Sequence, residues 1–255
     1  MEPALEREIA QALMVGIRIS MLMVFAPFLG HAGIPPRVKA GLAVALTGLL
    51  YPVYSRQAFD FNGLNWARVV TGEVIVGLIL GLTLSFVFEG AAMAGQMLGF
   101  QLGYSLVNVI DPQTQVDTPV LAVFNQAVVL LLFLQLDVHH WLLRALARSF
   151  EYLPPGDVSF TRAATEELFH AAGAMLVFAV QIAAPVLAAT VLADVILGLI
   201  GKAAPQLPVL FVGMSVKSLM GFLVLAGSLR YWPVLMEKYF SRSLQTMEHL
   251  LNLAR

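Results

Sequence analysis

Five charged side chains interrupt otherwise apolar stretches of this chain: Arg18, Glu73, Glu89, Asp194 and Lys217. A charge at the centre of a bilayer costs about 2.5–3.5 kcal/mol on the insertion scale. Each therefore needs a partner, water, or a position outside lipid. Two chemistries fit: an ion or proton relay through Glu73, Asp194 and Lys217, or opposite charges paired between helices or subunits. The scatter of the five and their lack of a shared motif favour pairing. The histidines offer less. His139 and His140 are adjacent, so on a helix they should point about 100° apart. Glu167-Leu168-Phe169-His170 matches the Glu-x-x-His of di-iron bundles, but those need a second copy on another helix, and the sequence holds none. There is no Gly-x-Ser-x-Gly, His-Glu-x-x-His, P-loop or dinucleotide fingerprint. With no cysteine either, thiol nucleophiles, Cys-type zinc sites and iron–sulfur clusters are excluded. The expectation is a protein without catalytic residues, metal or cofactor.

Composition says where such a chain resides. Of 255 residues, 59% are hydrophobic and 12% charged, and the mean hydropathy is +0.81. A soluble domain carries about 25% charged residues. Half that cannot cover a 27.6 kDa globule, which excludes an ordinary cytosolic enzyme or a disordered tail. A net charge of −1 lacks the basic stripe of a nucleic-acid binder. The start, Met1-Glu2-Pro3-Ala4-Leu5-Glu6-Arg7-Glu8, is acidic where a signal peptide is basic, so the first apolar stretch should be retained. An integral membrane protein follows.

The elements that must position the charges are helices, because only helices and closed barrels satisfy their backbone in lipid, and no strand alternation is visible. Spans of roughly 20 apolar residues are expected at Ile9–Leu29, Val38–Tyr54, Val69–Phe88, Gly90–Ile110, Pro119–Leu136, Leu168–Ile200 and Val209–Leu229. Breaks fall at Ile34-Pro35-Pro36-Arg37, Gln57–Asn65, Asp111–Pro119, Leu153-Pro154-Pro155-Gly156-Asp157 and Ala204-Pro205-Gln206-Leu207-Pro208. Two stretches read as amphipathic helices. One has His140, Arg144 and Arg148 opposite Leu142, Leu143 and Leu146. The other has an apolar stripe of Met236, Phe240, Leu244, Met247 and Leu251, fit for a membrane interface or a docking partner. Basic residues in successive loops, Arg37 and Lys39, then Arg56 and Arg68, leave orientation undecided under the positive-inside rule.

Small residues recur at every fourth position: Ala91, Gly95, Gly99 and Gly103 form one ridge, and Gly77, Gly81 and Ser85 another. Such ridges let helix backbones approach closely in membranes. After the first ridge comes an apolar loop, Ser105-Leu106-Val107-Asn108-Val109-Ile110-Asp111-Pro112. Apolar non-helical backbone at membrane depth survives only inside protein or lining a cavity. This segment is therefore a helix end or a constriction, and hydrophobic constrictions close pores.

At this loop the sequence resembles the FliR family of flagellar type III export-gate proteins, related to the SctT-type injectisome proteins. The first matching stretch is Gly99-Phe100-Gln101-Leu102-Gly103-Tyr104-Ser105, with Asp111-Pro112 and Pro119-Val120-Leu121. The second runs from Leu130-Leu131-Leu132-Phe133-Leu134 through His140 and Leu143 to Ser149-Phe150 and Leu153-Pro154. The third comprises Ala184-Pro185, Asp194, Leu197-Gly198-Leu199, Ala204-Pro205-Gln206-Leu207 and Gly213.

The resemblance implies an all-α subunit of a helical export gate in the bacterial inner membrane, at the flagellar basal body. Its implied partners are FliP-like and FliQ-like subunits, an FlhB-like protein, membrane lipid, and unfolded export substrates in transit. It implies a FliP-like region over 1–160 and a FliQ-like helical hairpin with an amphipathic C-terminal helix over 161–255. It also places a pore plug at Leu106, Val107, Asn108, Val109, Ile110, Asp111 and Pro112. Relatives carry phenylalanines there, and the aliphatic residues of this chain would seal with smaller area. The competing reading is a small ion-coupled transporter built on Glu73, Asp194 and Lys217, which predicts an internal repeat that the sequence does not show.

Overall fold

Long charge-poor stretches bounded by proline become long helices. The computed structural model describes residues 2–27, 30, 33–54, 66–104, 119–155, 158, 161–206 and 209–254. In chain order the helices are α1 (Glu2–Phe25), α2 (Pro36–Tyr54), α3 (Trp66–Gln101), α4 (Val120–Gln135), α5 (Val138–Tyr152), α6 (Arg162–Ala203), α7 (Val209–Ser228) and α8 (Trp232–Leu253), with a 3-10 turn Leu229–Tyr231 before the last. No strand occurs among the described residues. Among the described residues, four helical stretches are long and apolar enough to cross a membrane: Glu8–Phe25, Trp66–Gln101, Arg162–Ala203 and Val212–Leu253. The bent pair α4 and α5, turned by 71°, brings the number to five if it counts as one span. The chain is an all-α integral membrane protein.

The breaks at Pro35-Pro36, Pro154-Pro155 and Pro205 fall where the sequence put them, and Asp111–Thr118 lies outside the described residues. Pro36 opens α2, as suits a residue with fixed φ and no N–H to leave unbonded in the first turn. The two stretches expected on either side of Glu89 are instead one helix of 36 residues. Glutamate is a good helix former, so a charge alone ends nothing. Pro185 stays inside the 42 residues of α6.

The described chain divides by compactness into two units. The first comprises Met1–Val87, Asp137–Ala172 and Tyr239–Arg255, and the second Phe88–Leu136 and Gly173–Lys238. Both are discontinuous in sequence.

In the first unit, α1 lies close against α3. A Cβ at Gly77 would come 2.6 Å from the Arg18 carbonyl oxygen and from Met21 Cβ, and one at Gly81 would come 2.5 Å from Phe25 Cβ. Ile79, Ala164 and Leu250 form a buried cluster joining α3, α6 and α8. The Ser243 hydroxyl donates to the Thr83 carbonyl at 2.8 Å. Phe240, Met247, Leu250 and Leu251 are buried. The C-terminal stripe is therefore covered by this chain, which corrects the expectation of a helix lying on a membrane or awaiting a partner. On α5, Leu142, Ala145, Leu146, Ser149 and Phe150 point inward. Leu143, expected among them, is exposed, since it stands about 100° from Leu142.

In the second unit, Phe88 meets Phe133 edge-on at 5.7 Å. Gly90 faces Phe178 and Met175 of α6. The later part of α6 and α7 form a hairpin in which a Cβ at Gly213 would come 3.0 Å from Leu197. Much of its surface is apolar and open, including Val191, Val195, Leu199, Val216 and Leu219.

Candidate functional site

The apolar loop, Leu106 to Pro112, lies outside the described residues, but its two flanks do not. The α3 flank ends in a Schellman arrangement. Tyr104 N–H donates to the Gly99 carbonyl at 3.0 Å and Gly103 N–H to the Phe100 carbonyl at 3.2 Å. Gly103 has φ 86°, the left-handed conformation that glycine adopts without a steric penalty. It is therefore the residue that stops α3, not the last step of a helical ridge.

Three contacts then hold this end to the α6–α7 hairpin, all within the second unit. Gln101 Nε2 donates to Asp194 Oδ2 at 3.2 Å, and Lys217 Nζ reaches both carboxylate oxygens at 2.8 Å. The Leu102 side chain fills the space above Gly221. The Tyr104 hydroxyl lies 2.9 Å from Ser218 Oγ, with its ring edge-on to Phe222 at 6.0 Å.

The other flank returns to α3. A Cβ at Gly95 would meet the Leu121 carbonyl and come 2.5 Å from Ala122 N and Cα, so the α4 backbone rests directly on that glycine. Asn125 Nδ2 donates to the Ala91 carbonyl at 3.1 Å, with Asn125 buried. Ala91 and Gly95 are thus used inside the chain. Gly99 is different: a Cβ there meets nothing within 4 Å.

The remaining charges separate by environment. Arg18 and Glu73 are wholly buried. Arg18 Nε donates to Glu73 Oε2 at 2.7 Å and Nη2 to Oε1 at 3.0 Å, a two-pronged pairing. Arg18 Nη1 donates to Ser149 Oγ at 3.1 Å and Nη2 to the Leu153 carbonyl at 2.9 Å. The guanidinium also sits 4.1 Å from the centre of the Phe150 ring. One arginine thereby ties α1, α3 and the end of α5 together in the first unit. The sequence marked the two charges, and Ser149 and Leu153 within a family motif, but nothing in it pointed to the last two as partners of Arg18. Asp194 and Glu89 are exposed rather than buried. Asp194 gains its cation from α7 at a hairpin rim, and Glu89 makes no hydrogen bond or ion pair among the described residues.

The two histidines depart from expectation. Asp137 takes a left-handed conformation, φ 55°, at the bend between α4 and α5. His139 and His140 follow at once, with ring centres 4.1 Å apart. His140 Nδ1 is 3.3 Å from Asp137 Oδ1.

None of these groupings joins a nucleophile to a base. What the described residues build is a pair of anchored flanks: the end of α3 held to the α6–α7 hairpin, and the start of α4 resting on Gly95. These helices are those of a helical membrane protein. The chain belongs to the FliR family, family 1 of the bacterial export proteins, whose profile matches residues 9–243. It is similar to the flagellar biosynthetic protein FliR of Bacillus subtilis (strain 168), 32% identical over 245 residues with 94% of each chain covered. FliR of Escherichia coli (strain K12) is 28% identical over 239 residues, covering 92% of this chain and 90% of the relative. The secretion system apparatus protein SsaT of Salmonella typhimurium is 27% identical over 203 residues, with 76% of each covered. This is a membrane-embedded component of the flagellar type of export apparatus.

Proposed function

We propose that the chain is a structural and gating subunit of the flagellar type III export gate in the bacterial inner membrane, at the basal body. It assembles with FliP-like and FliQ-like subunits and an FlhB-like protein, and unfolded substrates pass through the result. It performs no catalysis. Leu106, Val107, Asn108, Val109, Ile110, Asp111 and Pro112 serve as the plug, excluding water when the gate is idle. Residues 1–160 play the FliP-like part and 161–255 the FliQ-like part.

One observation supports this reading above the others. Both flanks of the loop are anchored: the α3 end to the α6–α7 hairpin through Gln101 and Tyr104, and the start of α4 to α3 through Ala122 on Gly95. A segment held at both ends can be displaced by a passing chain and still return to its place. The relay reading gains nothing comparable. Glu73 is neutralised by Arg18, and Asp194 by Lys217.

Expression with the neighbouring genes, purification in mild detergent and intact-mass measurement test the assignment. A single copy inside a large complex with FliP-like and FliQ-like subunits is the expected result. A free monomer or small homo-oligomer, with those partners co-expressed, overturns it. Deletion of Leu106–Ile110 is expected to leave assembly intact and raise the membrane conductance to small ions. Unchanged conductance in an assembled complex removes the plug assignment.

A further inference from the structure

Among the described residues, Glu89 is the one of the five charges left without a partner. Of the five charges set in apolar sequence, Arg18 pairs with Glu73 and Asp194 with Lys217. Glu89 is exposed and makes no polar contact among the described residues. It does not stand alone on its helix face. Glu89, Met93, Gln96 and Phe100 follow one another at spacings of four, three and four residues, one line along α3. Phe100 is 73% exposed, Gln96 is exposed, and Met93 and Met97 are half-buried.

The other faces of the same stretch are filled from within the unit. Gly90 faces Phe178, Gly95 carries α4, and Phe88 contacts Phe133. The Glu89 line is left open, with Gly99 beside it.

Neither placement of α3 in a membrane relieves that line. The helix has 36 residues, about 54 Å at 1.5 Å per residue, against a hydrocarbon core of about 30 Å. If Glu89 is at membrane depth, its carboxylate needs a counter-charge. If hydrocarbon covers Val69–Phe88 instead, then Met93, Met97 and Phe100 stand beyond it and need covering by protein. In the first case the carboxylate sets the charge of the chain that covers it, and in the second the apolar side chains beside it call for protein cover.

We infer that the Glu89–Phe100 line of α3 is a subunit interface, occupied by a helix of another chain that carries a lysine or arginine at the level of Glu89 and apolar side chains against Met93 and Phe100. This rests on the export-gate reading and adds to it the face and the chemistry of one contact.

The test uses the chain within its intact assembly, and alone, in detergent. Glu89→Lys is expected to reduce retention in the complex about thirtyfold or more, the scale of a buried interfacial charge pair broken at one partner. Glu89→Gln should fall between it and the parent. Because Glu89 is exposed, the isolated variants should melt with the parent chain. The chain has no cysteine, so Gln96→Cys gives a single reporter on it. Maleimide should label this thiol readily in the isolated chain and slowly in the complex. Normal retention of Glu89→Lys, or equal labelling in both states, overturns the interface. Cross-linking of two copies of this chain through Gln96→Cys assigns the face to self-association and overturns the stated occupant. If the parent chain never co-purifies with other subunits, it is the export-gate reading itself that has failed.

Discussion

Arg18→Ala is expected to abolish accumulation of the protein in membranes. The substitution leaves the Glu73 carboxylate buried without its cation and removes the donors to Ser149 and to the Leu153 carbonyl. Breaking a buried ion pair from one side costs about 3–5 kcal/mol, against about 5–15 kcal/mol for the stability of a typical domain. Immunoblotting of membrane fractions and thermal melting in detergent both read this effect. Arg18→Lys keeps the charge but loses the planar fork, so it should fall between parent and alanine. The informative companion is Arg18→Met combined with Glu73→Met. Removing both charges leaves no uncompensated group, and most of the lost accumulation should return. If Arg18→Ala accumulates and melts like the parent, the cluster does not organise the first unit.

Gly95→Ala is the second large effect. A single added methyl would collide with main-chain atoms of α4, 2.5 Å from Ala122 N and Cα. Backbone cannot rotate aside as a side chain can, so α4 must shift as a body. Overpacking of a well-filled interior costs typically about 1–3 kcal/mol, and a main-chain collision belongs at the upper end. The expected result is a melting temperature lowered by several degrees for Gly95→Ala and no folded protein for Gly95→Leu. Gly99→Ala is the contrast on the same helix, four residues on. It meets nothing within 4 Å and should be neutral, or stabilising by up to about 1 kcal/mol from helix propensity. Gly99→Leu should therefore leave the isolated chain folded. If it nonetheless fails to enter the gate, Gly99 faces another subunit. Equal melting of Gly95→Ala and the parent would show that α4 does not rest on α3 through this glycine.

The sequence disclosed the helices well where proline or a polar loop ended them. Pro36, the Pro154-Pro155 pair and the Pro205–Pro208 stretch all lie at or beside helix ends. It misleads at Glu89, a lone charge between two apolar runs whose own backbone preference is helical. Gly103 fits a ridge by spacing alone, whereas its φ of 86° makes it a terminator. Periodicity identifies a shared face only while the helix continues. The charges were recognisable one by one, but the partner of Arg18 was not, because Glu73 is 55 residues away and no local pattern encodes that separation. The role of Asn125 was hidden for a related reason. A buried amide donating to a carbonyl on another helix looks, in sequence, like one more polar residue.

The pairing of Arg18 with Glu73 also imposes an order on biosynthesis. The chain is made from its N-terminus, so α1 leaves the ribosome with an arginine in its apolar stretch and nothing to receive it. On its own it is a poor guest for the bilayer, by about 2.5–3.5 kcal/mol for that residue at mid-depth. It becomes a stable membrane element once α3 has been synthesised and Glu73 can close against it. The Arg18 charge is therefore answered only when the α1–α3 contact forms.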